Sequence, residues 1–412
     1  MWKKVLIVVM ALVLMSAGVC LAAGKQDVYA NVDAMQQKLL QINDFIHDNP
    51  ETGNKEFKAV ELLTKTLEEN GFKVETGVAG LKTAFVATYV NKTGGPTIGF
   101  LAEYDALDKL GHGCGHNIIA SAGVGAGIAL AKSLGDIPAT IVVYGTPAEE
   151  TTSGKLPMVA AGLFDRLDVA LMTHPGDRTT VGAKSLALNL IDFIFEGKAS
   201  HAAASPEKGI SALDGVMMLF NGMEYLREHV RSDVRIHGIV TDGGAAANIV
   251  PERAAARFYV RSADRTYLDT VVERVYNIAN GAAMITGTKV TIKEIKAYDN
   301  KVILDSLSEL LLENAKALDA KQILPPPEST GSTDFGSVTF RVPGAELGIA
   351  FVPVGTPGHS QAYVQAGTTA AGHAAVIVAA KTLAAAGYDL ITNPELLKKV
   401  KAEFAATKAP KN

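Results

Sequence analysis

In the first half of the chain, the spacing of apolar residues alternates between helical and strand-like patterns. From about Asp27 to Asn70 they recur at helical intervals, and Asn49-Pro50 divides this segment into two predicted helices. A segment of small residues with helical composition, Ile118 to Lys132, lies among four short β-rich runs. These runs are Ala84 to Val90, Thr97 to Leu101, Thr140 to Tyr144 and Val169 to Met172. Such alternation predicts an α/β fold with a mostly parallel sheet and helices on both faces.

The pattern changes between about residues 184 and 298. A strand-like stretch is followed by a helix, two strands, a second helix and a last strand, at Ser185 to Phe195, Ala212 to Val230, Ile236 to Thr241, Ala254 to Arg261, Tyr267 to Thr286 and Lys289 to Ile295. This order is typical of a small two-layer α+β domain. We therefore predict an inserted domain at residues 185–298 within a catalytic domain formed by residues 24–184 and 299–412. A chain of this length usually needs two hydrophobic cores.

Residues 1–23 have the pattern of a secretory signal peptide. Lys3 and Lys4 precede an unbroken apolar run, and Leu21-Ala22-Ala23 provides a small-residue cleavage region. We therefore expect an exported protein, periplasmic or secreted, without stable membrane insertion once the signal is removed. An uncleaved signal that anchors the chain in a membrane is the competing interpretation. Loss of the two lysines changes the net charge from −4 to −6, and this mild acidity argues against a nucleic-acid partner.

The glycine-rich segment from Gly111 to Asn117 contains Cys114, the one cysteine that remains after signal removal, and His116 two residues later. A thiolate and an imidazole with this spacing can bind one metal ion at about 2.0 to 2.3 Å. A single cysteine cannot form an internal disulfide, and an exported thiol without a metal is open to oxidation. A buried structural cysteine is the alternative, but the flanking glycines make an unusual context for one.

Acidic residues and a histidine follow three of the predicted strands. Glu103 and Asp105 come after one strand, Glu149 and Glu150 after the next, and His174 after the third. Because the carboxyl ends of parallel strands meet at one edge of a sheet, we expect these side chains to lie close together.

The same segments contain the candidates that would complete a metal site: the Glu149-Glu150 pair, His174 and His359. A set of thiolate, imidazole and carboxylate ligands suits zinc best, with manganese, cobalt or nickel as alternatives. Adjacent carboxylates in an extended segment point apart, so one can bind metal while the other exchanges a proton with the attacking water. A Glu-Glu pair is often a solvated surface and each histidine could merely cap a loop, but the position after an apolar strand favours a hydrolytic site.

Two polar residues of the inserted domain are further candidates. His201 could polarise a substrate carbonyl as charge develops on its oxygen, although a surface histidine at a strand end is the alternative. Asn248 could donate its amide to substrate, and a turn before Pro251 would explain it equally.

Taken in order along the chain, these motifs resemble those of the M20 metallopeptidases. The motifs are Glu103-Tyr104-Asp105-Ala106-Leu107, Gly111 to Asn117, Glu149-Glu150, Thr173-His174-Pro175, Ser200-His201-Ala202-Ala203, Asn248-Ile249-Val250-Pro251 and Gly358-His359-Ser360. The resemblance runs from about Val28 to Ala386. Within the family the chain looks like the amidohydrolase branch that includes aminobenzoyl-glutamate hydrolase subunits and aminoacyl dipeptidases.

The resemblance implies a zinc-exopeptidase-like catalytic domain with two divalent metal ions. Glu149 would be the general base and acid, and the Cys114 thiolate would bridge the ions. The implied metal ligands are Cys114, His116, Glu150, His174 and His359.

For the inserted domain, the resemblance implies a lid that also forms a homodimer. His201 would reach the partner subunit's active site and stabilise the oxyanion, and Asn248 would contact substrate. The segment Gly331-Ser332-Thr333-Asp334 resembles a pocket-lining loop, which makes Ser332 and Thr333 substrate-binding candidates.

We therefore expect a metal-dependent amidohydrolase that cleaves the amide bond of a small N-acyl or N-aminoacyl amino acid, such as an aminobenzoyl-glutamate-like or dipeptide-like conjugate, by attack of metal-bound hydroxide. A dipeptidase or carboxypeptidase acting on peptides is the alternative, and a non-catalytic protein that binds metal or peptide is a second one. Relatives tend to carry an aromatic residue after Gly-His-Ser, whereas Gln361-Ala362 follows here. This difference leaves the identity of the amino acid and of its acyl group open.

Overall fold

The structure is a computed structural model that describes residues 24–328 and 331–408. The predicted signal peptide lies outside the described residues. Backbone contacts divide the chain into two compact units. Among the described residues, the first unit comprises residues 24–183, Val302–Glu328 and residues 341–408, and the second comprises Lys184–Lys301 and residues 331–340.

The described residues form ten strands and twelve α-helices, besides two short 3-10 helices. The strands are β1 (Lys73–Thr76), β2 (Phe85–Val90), β3 (Thr97–Ala102), β4 (Thr140–Gly145), β5 (Val169–Gly176), β6 (Ala187–Glu196), β7 (Arg235–Asp242), β8 (Arg253–Ser262), β9 (Lys289–Tyr298) and β10 (Gly344–Ala350). The helices are α1 (residues 24–34), α2 (Gln36–Asp48), α3 (Phe57–Glu69), α4 (His116–Ser133), α5 (Lys155–Ala160), α6 (Ala212–Arg227), α7 (Arg265–Thr286), α8 (Asp305–Ala317), α9 (Phe335–Arg341), α10 (Gln361–Ala366), α11 (Ala370–Thr392) and α12 (Pro394–Thr407).

The first unit is built on a six-stranded sheet in the order β1-β2-β4-β3-β5-β10. The pairs β3–β4, β3–β5 and β5–β10 are parallel, which confirms the predicted α/β fold with a mostly parallel sheet. The β1–β2 and β2–β4 pairs are antiparallel. Strand β3 lies between β4 and β5. The connection from β3 to β4 therefore runs toward one edge of the sheet, and the connection from β4 to β5 runs back past β3 toward the other edge. Ligand sites of α/β proteins form at the carboxyl ends of the strands around such a reversal.

The core of the first unit is formed where α4 packs between the sheet and the helices α2 and α11. Nearly every residue of α4 is buried, which is why its sequence is apolar on all sides. Helix α11 is long and apolar enough to cross a membrane by length and composition alone. Most of its apolar window is buried inside the unit, as expected of a core helix.

The second unit is a four-stranded antiparallel sheet in the order β7-β8-β6-β9, with a separate hydrophobic core formed with α6 and α7. Its elements follow the order that the sequence predicts. The segment 331–340 groups with this unit, whereas the sequence predicts that it belongs to the catalytic domain. A backbone hydrogen bond of 2.8 Å from Leu186 N to Gly331 O helps to hold it there, and such a long-range contact leaves no local sequence pattern.

Candidate active site

The acidic candidates of the first unit lie where β3 and β4 end. Glu103 and Asp105 follow β3, and Glu149 and Glu150 follow β4. The backbone N–H of Glu150 donates to Asp105 Oδ2 at 3.0 Å, so the two strand ends are joined directly. The acidic residues that follow β3 and β4 therefore lie close together, as the sequence predicts, whereas His174, which was expected to follow the third strand, is part of β5 itself.

The loop after β4 has an unusual backbone. Ala148 and Ser153 both have positive φ, at 60°, a conformation that costs free energy for residues other than glycine. Buried Glu56 supports the loop, because its Oε1 accepts a hydrogen bond of 2.8 Å from Ala148 N. This fixes the backbone just before Glu149.

Gly115 turns the chain between Cys114 and His116. It has φ 77°, and a Cβ at this position would lie 2.5 Å from Pro175 Cγ, so both conformation and space require glycine. His116 is the first residue of α4. The turn brings the thiol and the imidazole to the same side of the chain.

The candidate metal ligands converge in three overlapping groups, and within each group the donor atoms all lie within 4.8 Å of one another. The groups are Cys114 with His116 and His174, Cys114 with Glu150 and His359, and His116 with Glu149 and Glu150. Individual separations are 3.5 Å from Cys114 Sγ to His174 Nε2 and 3.2 Å from Glu150 Oε1 to His359 Nε2. All five candidate ligands and Glu149 thus belong to one cluster.

Two histidines of the cluster are oriented by hydrogen bonds on Nδ1. The Nδ1 of His116 lies 3.0 Å from Asp105 Oδ1, and the Nδ1 of His174 lies 3.0 Å from the carbonyl oxygen of Pro175. An Nδ1–H that donates to these oxygens leaves Nε2 with its lone pair facing the cluster, as a metal ligand requires. The sequence predicts Asp105 at this edge but does not indicate that it orients His116; its position two residues after Glu103 in a strand-end motif is the available signal.

The electrostatics of the cluster differ from one donor to the next. Burial raises the pKa of the Cys114 thiol above its ordinary value, and the neighbouring His116 offsets only part of this effect. Burial also acts to raise the pKa of Glu150, but the hydrogen bond from His359 and the charge of His116 outweigh it and hold this pKa at about 2. Glu150 is therefore a carboxylate at neutral pH, while a cation beside Cys114 would favour its thiolate form.

The residues fit a divalent metal ion. Among the described residues, Glu103 Oε2 and His116 Nε2 are buried without a hydrogen-bond partner. Buried polar atoms without partners are costly and uncommon, and metal coordination would satisfy them. The mixture of sulfur, nitrogen and oxygen donors is one that zinc and other divalent transition metals accept.

The remaining site predictions fall in the second unit. His201 Nδ1 accepts hydrogen bonds from Ala203 N and Ala204 N at 3.2 and 3.1 Å, so the neutral ring carries its hydrogen on Nε2. Ala202 N donates to Asn248 O at 3.0 Å, which places His201 and Asn248 on adjacent segments.

The two candidates of the later loop have local contacts of their own. Ser332 Oγ lies 3.3 Å from Arg261 Nη1, and Thr333 Oγ1 accepts from Phe335 N at 3.3 Å. The second of these bonds lies at the start of α9. Both contacts help to fix the conformation of this loop. The substrate-binding role of Ser332 and Thr333 stays a prediction.

Comparison with known proteins shows the family of the chain. The model of peptidase family M20/M25/M40 matches residues 95–387. The chain is 34% identical to the Xaa-Arg dipeptidase of Mus musculus over 393 residues, covering 90% of each protein. It is 31% identical to one of the subunits of the p-aminobenzoyl-glutamate hydrolase of Escherichia coli over 458 aligned residues, covering 92% of this chain and 95% of that protein.

Solved structures share the fold. An aminobenzoyl-glutamate utilization protein from Klebsiella pneumoniae matches with a TM-score of 0.72 at 21% identity, covering 88% of this chain and 98% of that one. A Bacillus subtilis protein described as a dinuclear metal binding peptidase from the M20 family matches with a TM-score of 0.67 at 19% identity, covering 87% and 99%. The chain belongs to peptidase family M20/M25/M40 and is a hydrolase of that family.

Proposed function

We propose that the protein is a metal-dependent amidohydrolase that cleaves the amide bond of a small N-acyl or N-aminoacyl amino acid. The observation that carries this proposal is the convergence of sulfur, nitrogen and oxygen donors in three overlapping groups, with Glu149 next to the candidate ligand Glu150. A cluster of this composition at the carboxyl ends of β3 and β4 suits hydrolysis better than the binding of an intact ligand.

The candidate ligands are proposed to hold two divalent metal ions, with zinc the best match to the donor set and manganese, cobalt or nickel as alternatives. Cys114, His116 and Glu150 each belong to two of the three groups. The bridging position proposed for the Cys114 sulfur therefore rests on the resemblance to the M20 family. When bound, the ions supply Lewis acidity and lower the pKa of water to about 7. The residues that would hold them are Cys114, His116, Glu150, His174 and His359.

Glu149 is the proposed proton carrier. Its carboxylate lies within 4.8 Å of donor atoms of His116 and Glu150. A carboxylate at this position can accept the proton of the attacking water and deliver it to the amide nitrogen as the bond breaks. The loop held by Glu56 determines where this carboxylate points.

His201 and Asn248 are proposed to act on the substrate. Because Nδ1 of His201 already accepts two backbone hydrogen bonds, Nε2–H is the donor that remains for a developing oxyanion. Asn248 lies on the adjacent segment and would contribute its side-chain amide to substrate.

The names of two relatives support the substrate class. A dipeptide ending in arginine and p-aminobenzoyl-glutamate are both small amides of an amino acid nitrogen, and their acyl parts differ. We therefore propose that the leaving group is a free amino acid. Which amino acid this chain releases is the question that a substrate panel answers.

The test is amino-acid release from dipeptides with C-terminal arginine or lysine, from p-aminobenzoyl-glutamate and from N-acetyl amino acids. The mature protein is stripped of metal, assayed, and assayed again after refilling with zinc or manganese. We expect release only after refilling. Release by the stripped protein would contradict the metal dependence, and stoichiometric binding of these amides without release by the refilled protein would favour a binding protein.

We also propose that the mature protein is exported and forms a homodimer through its second unit. The proposal of export rests on the pattern of residues 1–23. Amino-terminal sequencing of the mature protein is expected to show that it begins after Ala23. The dimer is supported by β7, which forms an edge of the four-stranded sheet and exposes Ile239 and Val240 by 64% and 48%. An exposed apolar edge strand is a surface that proteins normally cover.

A further inference from the structure

A buried ion pair lies beside the cluster, outside the five candidate ligands. Glu103 Oε1 accepts a hydrogen bond of 2.6 Å from Lys155 Nζ, and the two residues are only 1% and 0% exposed. Burying two charges costs several kcal/mol per ion before their attraction is counted. Such a pair therefore needs an explanation beyond stability.

The position of the second carboxylate oxygen of Glu103 indicates a role in metal binding. Glu103 Oε2 lies 3.3 Å from His116 Nε2, yet both atoms are without a hydrogen-bond partner. Since Asp105 occupies Nδ1 of His116, Nε2 is the nitrogen that would face a metal. Two ligand atoms bound to one ion at about 2.0 to 2.2 Å, with angles near 90 to 110°, lie roughly 3 to 3.5 Å apart. The observed separation fits two atoms that share an ion.

The route of the chain around Lys155 is equally specific. Gly154 precedes it, and a Cβ on Gly154 would lie 2.1 Å from Pro147 O, so the backbone folds back too tightly for any larger residue. This turn starts α5 with a lysine side chain that is buried completely. Lys155 engages one oxygen of Glu103, which leaves the other directed at His116.

We propose that Glu103 is a further carboxylate of the metal centre, next to His116, and that Lys155 is the positioning residue that holds it. The inference rests on the proposed metal-dependent function. It adds one ligand to the expected set and accounts for the buried lysine, which compensates the extra negative charge when no cation is bound.

The experiment compares the metal-induced rise in melting temperature of the wild type with that of Glu103→Gln, Lys155→Met and the double variant. Glu103→Gln removes the charge that faces the ion, so we expect at least a tenfold loss of affinity for one ion in chelator competition and a smaller rise. Lys155→Met leaves the Glu103 charge uncompensated in the metal-free protein, so we expect a larger rise. A purely structural pair would lower both melting temperatures alike and leave the rise unchanged.

The double variant, Glu103→Gln with Lys155→Met, removes both charges and therefore leaves no unpaired buried ion. We expect its affinity for metal to be as low as that of Glu103→Gln. It decides the matter if either single variant folds poorly. The visible spectrum of the cobalt-loaded protein provides an independent measure, because loss of a carboxylate ligand changes the coordination. The control is Lys25→Met, which breaks the 2.7 Å Lys25–Asp389 pair of the same unit and should retain wild-type affinity and spectrum.

Wild-type affinity and an unchanged cobalt spectrum in Glu103→Gln would overturn the inference and leave the proposed function intact. Failure of the wild-type protein to bind metal would instead contradict the proposed function itself. Metal content per chain, measured after dialysis, separates the two outcomes.

Discussion

At the scale of single residues, the adjacent carboxylates Glu149 and Glu150 are expected to behave differently when each is changed to glutamine. Glu149→Gln removes the proton acceptor but keeps the side-chain shape, so kcat should fall by about 10² to 10⁴ while KM and metal content change little. The pKa of Glu150 is held at about 2, so this side chain is a charged carboxylate at neutral pH. Glu150→Gln removes that proposed ligand, and the metal content of the variant protein should therefore fall. Steady-state kinetics and metal analysis of the two proteins check both statements.

The comparison is informative because the variants remove the same group from neighbouring positions. If Glu149→Gln lost metal as well as activity, Glu149 would be a ligand and not the proton carrier. Activity within tenfold of wild type would remove it from the mechanism altogether.

At the scale of elements, the loop between β4 and α5 depends on a side chain from the start of α3. Glu56→Ala would leave Ala148 N buried without its acceptor, and we expect a destabilisation of about 1 to 3 kcal/mol in urea unfolding. Because Ala148 has positive φ, the loop should relax and displace Glu149, lowering kcat more than it changes KM.

The matched variant is Glu56→Gln, which keeps an acceptor oxygen of similar position. Burial raises the pKa of Glu56, so folding gains little from its ionised form, and the neutral amide should be tolerated. Equal losses in the glutamine and alanine variants would indicate that the carboxylate itself matters, and not the support of Ala148.

The spacing of apolar residues predicted the helices and strands that show a regular pattern, and short motifs predicted the site residues that lie close together in the sequence. The strands β2 to β5 and the whole order of the second unit follow from apolar spacing, and Cys114 with His116 follows from a two-residue separation. Strand β10 was not predicted, because its small and interrupted apolar run becomes a strand only by pairing with β5. The Glu103–Lys155 and Glu56–Ala148 contacts join residues 52 and 92 positions apart, so no local pattern signals them.

At the scale of the whole molecule, the proposed homodimer makes a prediction about complementation. If His201 acts in the partner subunit's active site, His201→Ala and Glu149→Gln are each inactive as homodimers but complement each other in a heterodimer. One of its two sites then contains both residues, so we expect about half of the wild-type activity. Co-expression with two different tags and tandem purification isolates the heterodimer.

The control reverses the arrangement. A heterodimer of wild type with the double variant, which carries both His201→Ala and Glu149→Gln, should be almost inactive if His201 acts across the dimer. The subunit that retains Glu149 then lacks a partner histidine, and its partner lacks the base. If His201 instead acts within its own subunit, this heterodimer retains about half of the activity and the complementing pair is inactive. The two arrangements therefore give opposite results from the same two substitutions, so a general loss of stability cannot imitate either outcome.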